Sequence, residues 1–221
     1  MMIQMFFNAT VKRAFNSWSK CYEEDVIPKL RDRGYSYEEL SCHIISSLPK
    51  GDNNRVLEIG TGPGILGRLI AEHVHGSLSG IDISGMMTSL AYNTGAYNVV
   101  IEASVESLPF QDNYFDFIYS TFVMHSVLNQ KKAFLEILRV LKPGGSGILV
   151  DLCFSDSTPP IWRNIRGNFH SILNESGSLS QYQSPEKYQF FFRKTGFDMK
   201  RLVQLGNKKD YTHYLFEFQK T

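Results

Sequence analysis

The segment Val56-Leu-Glu-Ile-Gly-Thr-Gly-Pro-Gly-Ile-Leu-Gly67 constrains this chain more than any other. A short apolar run ends at Ile59, glycines follow at 60, 62 and 64, and a helical pattern begins at Ile65. Glycine adopts positive φ freely and lets a bound group come close to the backbone. A helix opening directly after such a turn presents unpaired N–H groups. In parallel sheets, ligands sit outside the carboxyl ends of the strands, where this turn falls. The unit predicts an α/β sheet with a ligand at its strand ends.

The rest of the chain repeats the alternation. Strands are expected at 55–59, 77–81 (with Asp82 at its end), 98–101, 115–120 and 147–150. Helices are expected at 65–73, 86–92 and 130–141, the last stopped by Pro143-Gly144-Gly145. Strands alternating with helices pair in parallel through right-handed crossovers. Ser184-Pro185 reads as a cap followed by a first-turn proline, opening a helix that ends at Gly196. Residues 197–205 and 211–218 read as two closing strands around the turn 206–210. Residues 1–50 look helical: Phe6, Phe7, Val11, Phe15 and Trp18 keep a 3–4 residue period, and a second helical stretch covers 37–48. Residues 154–184 break the rhythm, being polar yet carrying Trp162, Phe169 and Ile172. The expected organisation is a helical cap over 1–50, a ligand-binding domain over 51–221, and a substrate-lid insert at 154–184.

Composition narrows the partners. Among 221 residues, charged side chains make up 20% and leave a formal net charge of +1. That balance gives no electrostatic footprint for nucleic acid or an anionic membrane, and Lys208-Lys209 reads as a solvated turn. The three cysteines show no CxxC and no Cys/His zinc spacing, so reduced thiols and no metal are expected. No apolar run approaches the ~18 residues of a spanning helix. The apolar stretch 1–7 precedes Lys12 and Arg13, the reverse of a signal peptide. A cytoplasmic monomer or homodimer acting on a small molecule is expected, without membrane insertion.

The glycine loop can be read in two frames. Gly62-Pro-Gly-Ile-Leu-Gly67 matches the dinucleotide fingerprint GxGxxG. However, Pro63 removes a backbone donor of the kind a pyrophosphate site uses. The other frame is Glu58-Ile-Gly60-Thr-Gly62-Pro-Gly64, an acidic residue followed by GxGxG. Asp82 ends the second strand about 20 residues on, where a carboxylate accepts bonds from ribose hydroxyls. It supports a nucleoside cofactor without choosing which.

Four segments join this frame: Gly80-Ile-Asp-Ile-Ser-Gly-Met-Met87, Val105-Glu-Ser-Leu-Pro-Phe110, Asp112-Asn-Tyr-Phe-Asp-Phe-Ile118 and Glu136-Ile-Leu-Arg-Val-Leu-Lys-Pro-Gly-Gly145. Together they resemble class I S-adenosylmethionine-dependent methyltransferases, nearest the branch of ubiquinone/menaquinone and natural-product methyltransferases. The likeness covers about residues 52–151 and the closing hairpin. It implies a Rossmann-like, doubly wound seven-stranded sheet, mostly parallel with an antiparallel C-terminal strand. It also implies S-adenosylmethionine as cofactor. Glu58, Gly60, Thr61, Gly62 and Gly64 would form its loop, with Asp82 and Ile83 at the ribose and Met87 over the adenine. Ser104 and Val105 would lie at the adenine edge, Thr121 at the amino-acid tail, and Tyr22 near the cofactor. The family often has an acidic residue where Ser104 stands, so adenine recognition shifts here toward the Val105 backbone and packing by Met87 and Phe110.

Methyl transfer is a displacement at an activated carbon, and a base is needed only when the nucleophile must lose a proton. His125, in Thr121-Phe-Val-Met-His125, is the candidate base, since an imidazole titrates near neutrality; it also fits a packed helix start. Trp18, Asp151, Trp162, Arg166 and His170 are candidate substrate residues. Small acceptors of quinone-like, aromatic or secondary-metabolite type are expected. Two alternatives stay open: a same-fold protein that binds S-adenosylmethionine for regulation or a non-methylating reaction, and an NAD(P)-dependent oxidoreductase. The latter would want glycine where Ile65 stands.

Overall fold

A computed structural model describes residues 2–154, 172–173, 179–180, 182–207 and 211–221. Its strands are Asn54–Ile59 (β1), Gly76–Asp82 (β2), Val99–Glu102 (β3), Phe115–Thr121 (β4), Leu141–Phe154 (β5), Ile172–Leu173 (β6), Leu179–Ser180 (β7), Phe197–Leu205 (β8) and Tyr211–Lys220 (β9). β6 and β7 form a small hairpin of their own. The other seven form one sheet in the order β3-β2-β1-β4-β5-β9-β8. β1 to β5 pair in parallel, and β9 runs antiparallel to both β5 and β8. The fold is the expected doubly wound α/β sheet with an antiparallel C-terminal strand. Strand order reverses on either side of β1, which puts the switch point at the glycine turn.

The helices are Met2–Trp18 (α1), Tyr22–Asp32 (α2), Tyr37–Ser47 (α3), Ile65–Ile70 (α4), Gly85–Asn93 (α5), Gln130–Val140 (α6) and Pro185–Thr195 (α7). Local chemistry sets many of their ends. Ser36 and Glu39 form a reciprocal capping box on α3. Ser84, Asn129 and Ser184 each accept the backbone N–H three residues on. Gly196 ends α7 in the left-handed conformation.

Three details differ from the sequence reading. The N-terminal region holds three helices, the added one being α2, with Glu23, Glu24 and Asp25 in its first turn and Lys29 and Arg31 in its last. The helix after the glycine turn ends at Ile70 and continues as a 3₁₀ turn, Ala71–His73. β5 begins at Leu141 and runs to Phe154, far beyond 147–150. Its partners explain the length, since Leu141 pairs with Phe115 of β4 and β9 pairs with β5 continuously from Ser146 to Phe154.

The sheet is covered on both faces. Leu57, Ile59, Ile118, Leu149 and Phe216 pack into one core with Phe134 of α6 and Phe192 of α7. Their neighbours Val56, Tyr119, Ile148, Val150 and Leu215 pack into the other with Leu40, Ile44 and Ile70. Alternation along each strand divides the two sets. Among the described residues, no helix is long and apolar enough to cross a membrane.

Candidate functional site

Gly60 has φ +79, and a Cβ there would lie 2.1 Å from Val123 Cγ2, so the β1 turn can pass under the β4 loop only as glycine. Two residues on, Gly62 has φ +48 and its N–H donates to Asp82 Oδ2 at 3.0 Å. Ser84 N–H donates to Asp82 Oδ1 at 2.9 Å. Asp82 thus ties the glycine turn to the start of α5. Burial pushes its carboxyl up to about 6, against the pull of these backbone donors.

Around this carboxylate opens a cavity of about 670 Å³, including its mouth. Gly60 and Gly62 line it from the β1 turn, Asp82 and Ile83 from β2, Ser104, Val105 and Glu106 from beyond β3, and Thr121, Phe122 and Val123 from beyond β4. Asn8, Val11 and Phe15 of α1 and Tyr22 of α2 close it. A smaller hollow of about 240 Å³ shares Tyr22, Gly60, Gly62 and Thr121 and adds Glu58, Thr61 and Tyr37. There Tyr97 and Tyr119 hydroxyls donate to Glu58 Oε2 at 2.5 and 2.8 Å. Burial pushes the Glu58 carboxyl up to about 8, the two donors working against it. Burial likewise raises Tyr22 to about 12, opposed by its hydrogen bond with Tyr37. Thr61 Oγ1 is buried with no hydrogen-bond partner.

This donor set suits a nucleoside that bears a cationic sulfonium. Among the described residues lining the two hollows, none is Lys, Arg or His, whereas Asp82, Glu106 and Glu58 are acidic. A pyrophosphate would meet carboxylates without a counter-charge, which disfavours the dinucleotide frame.

α1 is held over the cavity by one polar residue per turn. Gln4 Nε2 donates to Glu106 Oε2 at 2.5 Å and Asn8 Nδ2 donates to the same oxygen at 3.3 Å. Lys12 pairs with Glu102, and Asn16 Oδ1 accepts from Ser84 Oγ at 2.6 Å. Only Phe7 and Val11 of this helix are fully buried.

The expected residues therefore divide. Tyr22, Gly60, Gly62, Asp82, Ile83, Ser104, Val105 and Thr121 meet at the cavity, and Glu58 and Thr61 at the hollow. Met87 does not line either; it is wholly buried within α5, its N–H on the Ser84 cap. Phe110 stacks on Tyr114 and meets Phe115 edge-on instead. Gly64 caps α4 and packs against Ala91 and Thr94. Trp18 donates Nε1–H to Asp25 at 2.6 Å and braces the Tyr22 ring at 4.7 Å, away from the cavity lining. Trp162, Arg166 and His170 lie outside the described residues, as does Lys208-Lys209.

Asp151 needs a correction as a substrate contact. It is completely buried and its oxygens are committed: Oδ1 to His125 Nδ1 at 2.5 Å and Leu152 N–H at 2.8 Å, Oδ2 to the Tyr188 hydroxyl at 2.6 Å. It holds His125 instead. His125 sits in a 3₁₀ turn, Met124–Ser126, whose Ser126 lines the cavity, and its ring stacks on Tyr182 at 5.6 Å. Nδ1 faces the carboxylate, and in the neutral ring that donates from Nδ1 the lone pair is on Nε2.

Asn8, Val11, Phe15, Glu106 and Phe122 were not singled out as site residues from sequence. For Val11 and Phe15 the signal was their four-residue spacing; Glu106 and Asn8 gave none. Phe122 has φ +62, unfavourable for a bulky side chain. The His213 ring at 4.8 Å and Tyr37 at 6.3 Å hold it there.

The architecture and this cavity define a nucleoside-cofactor enzyme fold of the methyltransferase kind. Residues 57–149 match a family described as a methyltransferase domain. The chain is 32% identical over 192 residues to the ubiquinone/menaquinone biosynthesis C-methyltransferase UbiE of Neisseria meningitidis serogroup C, covering 81% of this chain and 74% of that protein. It is 32% identical over 154 residues to the UbiE of Geotalea daltonii, covering 65% of this chain and 64% of that protein. A crystal structure of a SAM dependent methyltransferase from Aquifex aeolicus shares the fold, with a TM-score of 0.67 at 20% identity, covering 93% of this chain and 98% of that one. The chain belongs to the S-adenosylmethionine-dependent methyltransferase family. It spans less than two thirds of the length of several curated relatives, 64%, 36% and 40% for three of them.

Proposed function

We propose that this chain transfers the methyl group of S-adenosylmethionine to a small-molecule acceptor of quinone-like, aromatic or secondary-metabolite type. The supporting observation is the Asp82 carboxylate at the switch point of a cavity that has acidic groups and no cation in its described lining. When bound, the cofactor supplies a methyl group already activated on a sulfonium, so the chemistry is largely its own.

The chain's residues bind and orient. Each Asp82 oxygen accepts one backbone N–H and keeps capacity for a ribose hydroxyl. Thr61 Oγ1, Thr121 and Tyr22 offer hydroxyls to a polar tail. α1 shields the cavity from water. Holding two reactants in line contributes roughly 7–11 kcal/mol of the barrier. Where the acceptor carries a proton, His125 Nε2 takes it, while Asp151 and Tyr188 fix the ring and its tautomer. Residues 1–50 serve as a helical cap; most of the expected lid, 154–184, lies outside the described residues.

Calorimetric titration with S-adenosylmethionine, S-adenosylhomocysteine and NADH tests the cofactor. An acceptor panel assayed for S-adenosylhomocysteine release tests the reaction. Binding of the first two alone, with release on adding an acceptor, is expected. Binding of NADH, or of no nucleoside, refutes the reading; cofactor binding with turnover but no demethylated product favours a non-methylating enzyme of the same fold.

A further inference from the structure

The cavity has two unlike ends. On the β4 side it joins the polar hollow of Glu58, Thr61 and Thr121, which suits a zwitterionic tail. On the β3 side its wall is Ala103, Ser104, Val105 and Glu106 beneath Val11 and Asn8, which suits a flat ring. Asp82 on β2 lies between them, at the ribose position of such folds. A base bound in this cavity would lie beneath α1.

Few polar side-chain atoms at that end are free to read it. Glu106 is 4% exposed, and its carboxylate already accepts from Gln4, Asn8 and the Asn129 N–H, the last at 2.7 Å. Ser104 offers one neutral hydroxyl, whose oxygen accepts the Glu106 N–H at 3.2 Å. The Asn8 carboxamide is different. Its Oδ1 accepts one bond, from Gln4 Nε2 at 3.0 Å, and its Nδ2 gives one, to Glu106. One lone pair and one N–H remain. An acceptor beside a donor is the complement of adenine, whose exocyclic amine lies beside a ring-nitrogen acceptor.

Resting on the methyl-transfer reading above, we propose that Asn8 of α1 reads the adenine edge of the cofactor, with Glu106 fixing the carboxamide in place. The first helix is then part of the cofactor site and carries its base specificity. Hypoxanthine replaces the amine by an oxygen, so the same carboxamide would set two acceptors face to face.

Equilibrium binding of S-adenosylhomocysteine and S-inosylhomocysteine to the full chain tests this without an acceptor. The wild-type protein should bind the adenosyl compound about ten-fold more tightly than the inosyl one. In Asn8→Leu that preference should shrink to within about two-fold, mainly by loss of adenosyl affinity, with the folded state checked by near-ultraviolet dichroism. Gln4→Ala loosens α1 but keeps the reader, so it should weaken both ligands and preserve their ratio. The proposal is overturned if Asn8→Leu keeps the wild-type preference, or weakens both ligands equally as a mere cover would. A wild-type protein that binds neither compound refutes the methyl-transfer reading itself.

Discussion

Asp82→Asn isolates what the charge at the switch point contributes. In the wild-type protein two backbone N–H groups already point at the carboxylate, 3.0 and 2.9 Å away, leaving each oxygen room for one ribose hydroxyl. The amide keeps one acceptor oxygen and turns an NH₂ toward one of those donors. A hydrogen bond to a charged group is worth about 1.5–3 kcal/mol, and a buried donor without a partner costs about 1–3 kcal/mol. Losing one charge-assisted ribose bond should thus weaken S-adenosylhomocysteine about 10- to 100-fold near neutral pH.

The pH dependence sharpens the test. Burial lifts the Asp82 carboxyl to about 6, so it is mostly ionised at neutral pH and mostly protonated a unit below its midpoint. A neutral carboxyl is the poorer acceptor. Wild-type affinity should fall as pH drops through about 6, and the Asn variant should stay flat, so the two converge in mild acid. Isothermal calorimetry from about pH 5 to about pH 8 reads both curves, with the folded state checked by near-ultraviolet dichroism. The reasoning fails if wild-type affinity is flat through that window, or if the variant shows the same slope, because another group would then be titrating.

Gly60→Ala puts a methyl group onto Val123 at a left-handed backbone; a loss of about 2–4 kcal/mol in chemical denaturation is expected, partly recovered by adding Val123→Ala. Glu58 has its carboxyl raised to about 8, so the stability it contributes is full below its unfolded value and lost as pH rises through about 8. Urea melts should show the wild-type protein weakening across that window and Glu58→Gln holding steady; equal slopes would assign the titration elsewhere. Asp151→Asn should lower kcat for a proton-bearing acceptor about 100-fold or more with little change in cofactor affinity, and an unchanged rate would reduce His125 to a packing residue. Tyr188→Phe leaves one Asp151 oxygen without a donor; about 1–3 kcal/mol of stability should go with it in the same melts.

Elements written in local chemistry were legible in the sequence. Ser184-Pro185 and Gly196 bracket α7, and the glycine turn between apolar runs locates β1 and its ligand end. Asp82 was legible because its strand stops there. What escaped depends on contacts distant along the chain. Gln4 and Glu106 are 102 residues apart, so nothing near Asn8 announces that α1 faces the cavity. Asp151 follows an apolar run, which in sequence reads as a strand end that contacts substrate, but β5 continues to Phe154 and Tyr188, 37 residues on, takes the second carboxylate oxygen with its hydroxyl. Met87 was misplaced for the opposite reason: its spacing from Asp82 fits a ring cover, yet the rotation of α5 turns it inward.

The polar seam under α1 also makes site completeness a matter of population. Bonds at residues 4, 8, 12 and 16 can be exchanged for bonds to water at little net loss, whereas the sheet beneath is locked by two apolar cores. Hydrogen exchange should then find the helix and the sheet opening as separate units, with the helix amides exchanging first. Measured affinity is the intrinsic affinity scaled by the fraction of molecules with the helix shut. Side chains outside the cavity lining, Lys12 and Glu102 among them, should thereby influence how tightly a ligand is held.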